Sequence, residues 1–427
     1  MRAKLPLLSA LALGTLTGAI AAGCQTYDFE PVEPLAIAQT TVEETITALG
    51  NKPNIMMLVD VSGSMTDPMQ PSDPDCRVTV GDEIQTCGTS VPCRTDVCPT
   101  RWTALQAAVP GFLSSAGPNA RFGLTTYPDT TNVIPGSVAS CGPSSSRAVR
   151  KDLPQVDDDA SLLSHANDIN AIIQGIPNSG QGQPSGGTPT SLSLKFVGNL
   201  QGLQATDRKD FVILLTDGLP NCNPENDNSG SDAAACKCTL TGSATCTNTF
   251  SKLGCLDMDD SVEAVQELRQ KDITTIVIGF GAETAGGNGP AVLEAMARAG
   301  GFARTCAAGQ TSCGDNDPCD PNTRQCRRAF FQAGDQTELA QVLQAISREV
   351  INPEPCLIRL NASQLPTENN LIVVYIDGER TAPGDSTWNP DVRGNEGVLF
   401  TGATCERIKS SSATNPVDIE IRAIRQR

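Results

Sequence analysis

The chain has 427 residues, with 31 Lys and Arg against 48 Asp and Glu, which gives a formal charge of −17. That balance excludes nucleic acid as a partner, because phosphate binding needs a basic stripe, and a single histidine excludes multi-histidine zinc sites. At 39% hydrophobic residues a core can be buried, while 38 Gly, 29 Pro and 4% aromatics predict turn-rich excursions, and 17 Cys leave one odd thiol to explain.

Arg2 and Lys4 precede a run from Leu5 to Ala22 that is apolar or small throughout, the composition of an export signal. The run ends Ala21-Ala22-Gly23-Cys24, which resembles the bacterial lipoprotein cleavage box, with Ala21 where Leu is commoner. The resemblance implies that residues 1–23 are removed and that the Cys24 thiol carries a diacylglycerol, the chain's only membrane anchor. Gln25 in place of Asp implies delivery to the outer membrane. Sixteen cysteines remain, an even number that an oxidising compartment converts to eight disulfides. Zinc at Cys236-Lys237-Cys238 is the alternative, but CxxC pairs at finger spacing are missing.

Residues 24–52 are acidic and Pro-spotted and read as a tether, with one strand near Thr40–Ile46. From 53 to 351 short β-rich runs alternate with helical periods, predicting an α/β domain with a doubly wound, mostly parallel sheet. The buried-strand candidates are Ile55–Val59, Phe122–Tyr127, Phe211–Leu215 and Ile273–Ile278, with a short edge strand at Ala329–Phe331. A helix is expected at Trp102–Leu113, kinked at Pro110, and another at Leu162–Ile173, where His165 reads as an ordinary surface residue. Asp260-x-x-Glu263 and Asp335-x-x-Glu338 resemble capping boxes.

Three cysteine-rich segments, 66–100, 220–257 and 306–327, interrupt this layout and hold too few apolar residues to collapse by burial; disulfides are the natural substitute. Local pairing is expected within Cys76, Cys87, Cys93 and Cys98, within Cys236, Cys238, Cys246 and Cys255, and within Cys306, Cys313, Cys319 and Cys326. That leaves Cys141 with Cys222 and Cys356 with Cys405. In these segments Asp67, Asp73 and Asp75, and Asp315, Asn316, Asp317 and Asp320, read as solvated turn residues. From 352 to 427 the runs Cys356–Leu360, Leu371–Ile376, Gly397–Phe400 and Val417–Ile421, without a helical period, predict a small all-β module.

One constellation carries chemistry. Asp60-Val61-Ser62-Gly63-Ser64 stands at the carboxyl end of the first strand, Asp217 at the carboxyl end of the Phe211–Leu215 strand, and Thr188 in the turn Gly186-Gly187-Thr188-Pro189. In open α/β sheets ligands sit at the carboxyl ends of strands. The candidates Asp60, Ser62, Ser64, Thr188 and Asp217 offer oxygen alone, which suits a hard divalent cation, Mg²⁺ or Ca²⁺. Neutral hydroxyls leave the ion much of its charge, so an open coordination position would take an anionic oxygen from a partner. No general base accompanies Ser62 or Ser64, so no enzymatic role is expected.

This Asp-x-Ser-x-Ser, Thr, Asp series resembles the metal-ion-dependent adhesion site of von Willebrand factor type A domains, over residues 53–351. The resemblance implies direct ligation by Ser62 and Ser64, ligation by Thr188 in the ligand-ready state, and direct or water-mediated contact from Asp60 and Asp217. With Cys24 and the sixteen cysteines, the chain also resembles integrin-like outer-membrane lipoproteins that serve gliding motility in myxobacteria. That likeness implies a surface adhesin. Its partners would be a protein or polysaccharide offering an acidic oxygen, motility or envelope proteins, and the membrane through the lipid. A disulfide-rich structural or assembly lipoprotein with a non-essential cation site is the alternative.

Overall fold

The computed structural model describes residues 44–48, 52–204, 208–227, 236–240, 246, 253–306, 310–314, 316–351, 356–359, 372–390, 397–409 and 417–423. The expected signal segment and Cys24 lie outside them. Six strands form the main sheet: β1 (Asn54–Asp60), β2 (Arg121–Tyr127), β3 (Val149–Lys151), β4 (Asp210–Thr216), β5 (Ile273–Phe280) and β6 (Phe331–Ala333). Their order is 3-2-1-4-5-6, parallel throughout except for β3. The sheet is therefore doubly wound and mostly parallel. Its winding reverses between β1 and β4, so the connections leaving their carboxyl ends diverge and leave a crevice.

Burial on both faces explains why β1 and β4 read as unbroken apolar runs. Ile55, Met57 and Val59 point into a core shared with helices α1 (Arg101–Ala116), α2 (Asp159–Gln174) and, later in the chain, Gln336–Ile346. Met56 and Leu58 point into the opposite core, against α3 (Thr190–Val197), α4 (Met258–Gln270) and α5 (Gly289–Gly300). Alternation along one strand thus fills two layers.

Helix boundaries correct several expectations. The α1 helix runs through Pro110 to Ala116. Pro110 has no N–H for the Gln106 carbonyl one turn back, and Gln174 Nε2 donates to that carbonyl instead, at 2.7 Å. Asp260 does not open a capping box: α4 begins at Met258 behind Asp257, and Asp259 and Asp260 sit in its first turn, where the helix dipole favours acids. Asp335 does cap its helix, accepting from Glu338 N at 2.8 Å, but Glu338 Oε2 reaches Gly334 N rather than the cap residue. The edge strand falls two residues later than expected, because Phe331, Gln332 and Ala333 are the residues that pair with Ile278, Gly279 and Phe280.

The C-terminal module holds two small sheets. One runs Glu44–Ala48, Val417–Ala423, Ile372–Ile376 and Glu379–Thr381; the other runs Leu357–Arg359, Gly397–Phe400 and Trp388–Pro390. The strand expected near Thr40–Ile46 falls at Glu44–Ala48 and pairs antiparallel with Val417–Ile421 as an edge strand. One feature departs from the sequence reading. The module is not all-β, since Gly402–Lys409 is a helix; it is two turns long, with buried Ile408 too solitary to display a period.

The sixteen cysteines form eight pairs, 76–98, 87–93, 141–222, 236–255, 238–246, 306–319, 313–326 and 356–405. Among the described residues no helix is long and apolar enough to cross a membrane. The Cys141–Cys222 bond closes the longest loop, with a sequence separation of 81, and its loss frees the most unfolded-state entropy. The Cys141→Ser/Cys222→Ser double variant is expected to lose about 4–5 kcal/mol of stability in chemical denaturation, more than the Cys87→Ser/Cys93→Ser variant, whose loop spans six residues.

Candidate metal centre

The sheet brings all five expected residues to the crevice between β1 and β4. Asp60 is the last residue of β1 and Asp217 the first after β4, and both are fully buried. Ser62 N donates to Asp60 Oδ1 at 2.8 Å, so the chain turns back on its own carboxylate, and Thr216 Oγ1 donates to Asp60 Oδ2 at 2.9 Å. That turn sets Ser62 Oγ 3.1 Å from Ser64 Oγ, and Ser64 Oγ donates to Asp217 Oδ1 at 3.1 Å.

Thr188 arrives from a separate segment that is stitched in place. Gly63 N donates to Gly186 O at 2.9 Å, Ser185 N to Val61 O at 2.8 Å, and Asn221 Oδ1 accepts from Thr188 N at 2.8 Å. Gly187 must be glycine, since a Cβ there would lie 2.4 Å from Cys222 Sγ. The Cys141–Cys222 bond thus presses directly on the turn that presents Thr188.

Gly218 locates the centre. A Cβ built on it would stand 3.6 Å from Ser64 Oγ, 3.9 Å from Thr188 Oγ1 and 3.9 Å from Glu283 Oε2. Three oxygen-bearing side chains from three segments converge on one point beside Asp217.

The residues fit a divalent ion. Neighbouring oxygens 3.1 Å apart match the edge of an octahedron about 2.2 Å in radius, between the ordinary Mg²⁺ and Ca²⁺ distances. Charge points the same way. Burial, reinforced by the nearby Asp217 charge, pushes the Asp60 carboxyl from 3.8 up to about 7, against its hydrogen bonds from Ser62 and Thr216. Burial also raises Asp217, although Arg101 pulls it down. A cation bound beside Asp60 would offset both effects and favour its ionised form.

Two residues of this centre escaped the sequence reading. Arg101, the first residue of α1, has a side chain only 2% exposed; its Nη1 donates to Asp217 Oδ2 at 2.8 Å and its Nη2 to Glu283 Oε1 at 3.2 Å. Burial alone would lower the guanidinium pKa, but Asp217 and Glu283 carry it above its ordinary value. Glu283 follows Gly281, just past the carboxyl end of β5. The strand-end rule that selected Asp60 and Asp217 also selects Glu283, whereas a lone arginine opening a helix gives no such signal.

Other acids stand differently from expectation. Asp67 is not a solvated turn residue: its Oδ1 accepts from Thr89 N at 3.1 Å, while Thr89 Oγ1 donates to Gly63 O at 2.9 Å, fastening the first cysteine-rich segment onto the metal loop. Asp317 is buried and accepts from Arg304 Nη1 at 2.7 Å and Arg328 N at 2.8 Å, as the polar anchor of the third; Asp315 lies outside the described residues. Asp73 and Asp320 do close exposed turns, on Asp75 N and on Asn322 N. His165 sits on α2 beside the Asp152 carbonyl, its pKa lowered by burial and by Lys151.

No protein-family model matches the chain, and no curated protein matches it in sequence. Solved structures similar to it include a point mutant of the PilB minor pilin from Streptococcus sanguinis, at 14% identity and a TM-score of 0.41, over 71% of this chain and 62% of the pilin. The manganese-loaded TRAP protein of Plasmodium vivax matches at 15% identity and a TM-score of 0.28, over 72% of this chain and 76% of that one. A von Willebrand factor type A protein from Catenulispora acidiphila matches at 13% identity and 0.32, over 88% and 58%. This chain spans less than two thirds of the pilin's length. At such identities and scores the likenesses decide nothing alone; the strand order and the oxygen cluster define the architecture.

The Asp60 shift has a testable sign. A folded pKa raised above 3.8 means the ion-free protein binds more protons than the unfolded chain between about 4 and 7, so Asp60's contribution to its stability falls as pH rises through that window. A divalent ion must displace that proton. The rise in melting temperature produced by saturating Mg²⁺ is expected to be full at pH 8 and to shrink steadily below pH 7, with the shrinkage abolished in Asp60→Asn.

Proposed function

We propose that this protein is a lipid-anchored surface adhesin that holds its partner through a divalent cation. The reading rests on one observation above the rest: Ser64 Oγ, Thr188 Oγ1 and Asp217 meet at the strand-order reversal, with a hydroxyl-to-carboxylate spacing of 3.1 Å. Ser62, Ser64 and Thr188 would supply neutral oxygens, Asp60 and Asp217 charged ones. The ion, Mg²⁺ or Ca²⁺, would supply Lewis acidity toward a carboxylate or glycan oxygen.

A binding role also fits the serines. Ser62 Oγ lies 3.1 Å from Ser64 Oγ and beside the Asp60 carboxylate, and Ser64 Oγ donates to a carboxylate already held by arginine, so both hydroxyls are engaged within the oxygen cluster. We therefore propose a protein that binds and does not turn over substrate. The lipid at Cys24, an outer-membrane address with the domain on the cell surface, and service to a gliding machine through envelope partners complete the proposal; they rest on the sequence resemblance. The second reading, a structural or assembly lipoprotein, is favoured by the eight disulfides, which make a stiff spacer whatever the ion does.

Attachment of cells displaying the full chain separates the two. Chelation with EDTA should abolish it and Mg²⁺ restore it, while Thr188→Ala, which removes one neutral ligand, should weaken Mg²⁺ binding about tenfold or more at an unchanged melting temperature of the ion-free protein. Attachment indifferent to both EDTA and Thr188→Ala would favour the structural reading.

A further inference from the structure

Glu283 lies at the mouth of the metal centre and no step above uses it. Its carboxylate has two differently placed oxygens. Oε1 is 3.2 Å from Arg101 Nη2, and Oε2 is one of the three atoms nearest to a Cβ built on Gly218, beside Ser64 Oγ and Thr188 Oγ1. The side chain is 39% exposed, whereas Arg101 is 2% and Asp217 0% exposed. Glu283 is therefore the movable member of an otherwise buried chain of charges.

The backbone beneath it is set for this placement. Gly281 has φ +87°, and a Cβ there would come within 2.9 Å of Arg101 Nε, so the Arg101 side chain packs closely against the turn that leads to Glu283. Thr284 Oγ1 donates to Gly281 O at 2.9 Å and accepts from Gln332 Nε2 at 3.0 Å, tying that turn to β6. Arg101 thus spans two carboxylates with opposite duties: Asp217 turns its other oxygen to Ser64, and Glu283 turns its own toward the same centre from outside.

Charge gives the consequence. With all three carboxylates ionised, Asp60, Asp217 and Glu283 against the single Arg101 guanidinium leave two negative charges, which one divalent cation cancels. Asp67 adds a weaker pull on the same arginine. A loaded centre with Glu283 in place has no net positive charge to offer an incoming anion, and the approach is already taken by a carboxylate. Removing Glu283 from that position leaves one positive charge and a free approach.

We infer that Glu283 is a built-in competitor, an own-chain carboxylate held by Arg101 at the position where a partner's carboxylate must enter, so that partner binding requires its displacement. The inference rests on the metal-centre reading of the previous subsection. It assigns the centre a closed form, Glu283 in, and an open form, Glu283 out toward solvent.

The test uses Mn²⁺ as the ion and acetate as the anionic probe, on wild type and Glu283→Gln. Mn²⁺ affinity is read by electron paramagnetic resonance of the free ion, and acetate binding to the loaded protein by loss of water-proton relaxation. Removing one negative charge is expected to weaken Mn²⁺ about tenfold or more, yet to tighten acetate on the loaded protein by about the same factor. The opposite signs are the signature, since a residue serving only structure would move neither. Mn²⁺ weakened without any gain for acetate would make Glu283 a simple ion ligand and overturn the competitor role, as would two unchanged affinities. Failure of wild type to bind Mn²⁺ at all would instead overturn the metal centre, and the competitor with it.

Discussion

Two carboxylates that end adjacent parallel strands at full burial repel each other and find no water. The upper end of this sheet answers to that constraint. Asp217 is neutralised from one side by Arg101, whose removal would leave an unpaired buried charge at a cost of about 3–5 kcal/mol. Asp60 receives only hydrogen bonds, from Ser62 N and Thr216 Oγ1, and keeps a proton up to about pH 7. The unequal treatment suits the crevice to a cation: Asp217 is oriented by its arginine, while Asp60 has hydrogen bonds without a counter-charge beside it. Ser62, Ser64 and Thr188 then add oxygens without adding charge.

The surroundings make this arrangement rigid. Cys222 packs against Gly187, and Asn221 holds Thr188 N, so the second cysteine-rich segment sets the distance between Thr188 and the serines. Thr89 clasps both Gly63 O and Asp67, so the first segment grips the metal loop itself. Disulfide-bonded segments that looked like additions to the domain are the walls of its site. The exposed Glu283 carboxylate is the exception, and its looseness is what the competitor role requires.

Much of this was legible in the sequence, for a physical reason. Strands buried on both faces read as near-continuous apolar runs, unbroken in β1 and β4 and interrupted by threonines in β2 and β5, so all four appear at nearly their observed bounds, and a carboxylate at the end of such a run stands out as a candidate ligand. Asp60 and Asp217 are conspicuous on that ground. Arg101 was hidden because its meaning is its partner, 116 positions away, and no local pattern separates a buried arginine at a helix start from a solvated one. Asp67 and Asp317 failed for the same reason: an acid in a Gly- and Cys-rich stretch looks solvated until the fold brings Thr89 or Arg304 to it. The pairing of Glu44–Ala48 with Val417–Ile421 joins opposite ends of the chain, and nothing in either segment announces the other. At Pro110 a tertiary donor, Gln174, satisfies the Gln106 carbonyl that the proline leaves unpaired, a contact no local pattern announces.

The central claim is that one divalent ion sits among these oxygens. It is tested most directly by locating Mn²⁺ in crystals of the protein by its anomalous scattering. The expected result is a single peak in the crevice between β1 and β4, about 2.2 Å from Ser62 Oγ and Ser64 Oγ, with the Asp217 carboxylate still on Arg101. Crystals with no peak there under saturating Mn²⁺, or with the peak elsewhere, would contradict it.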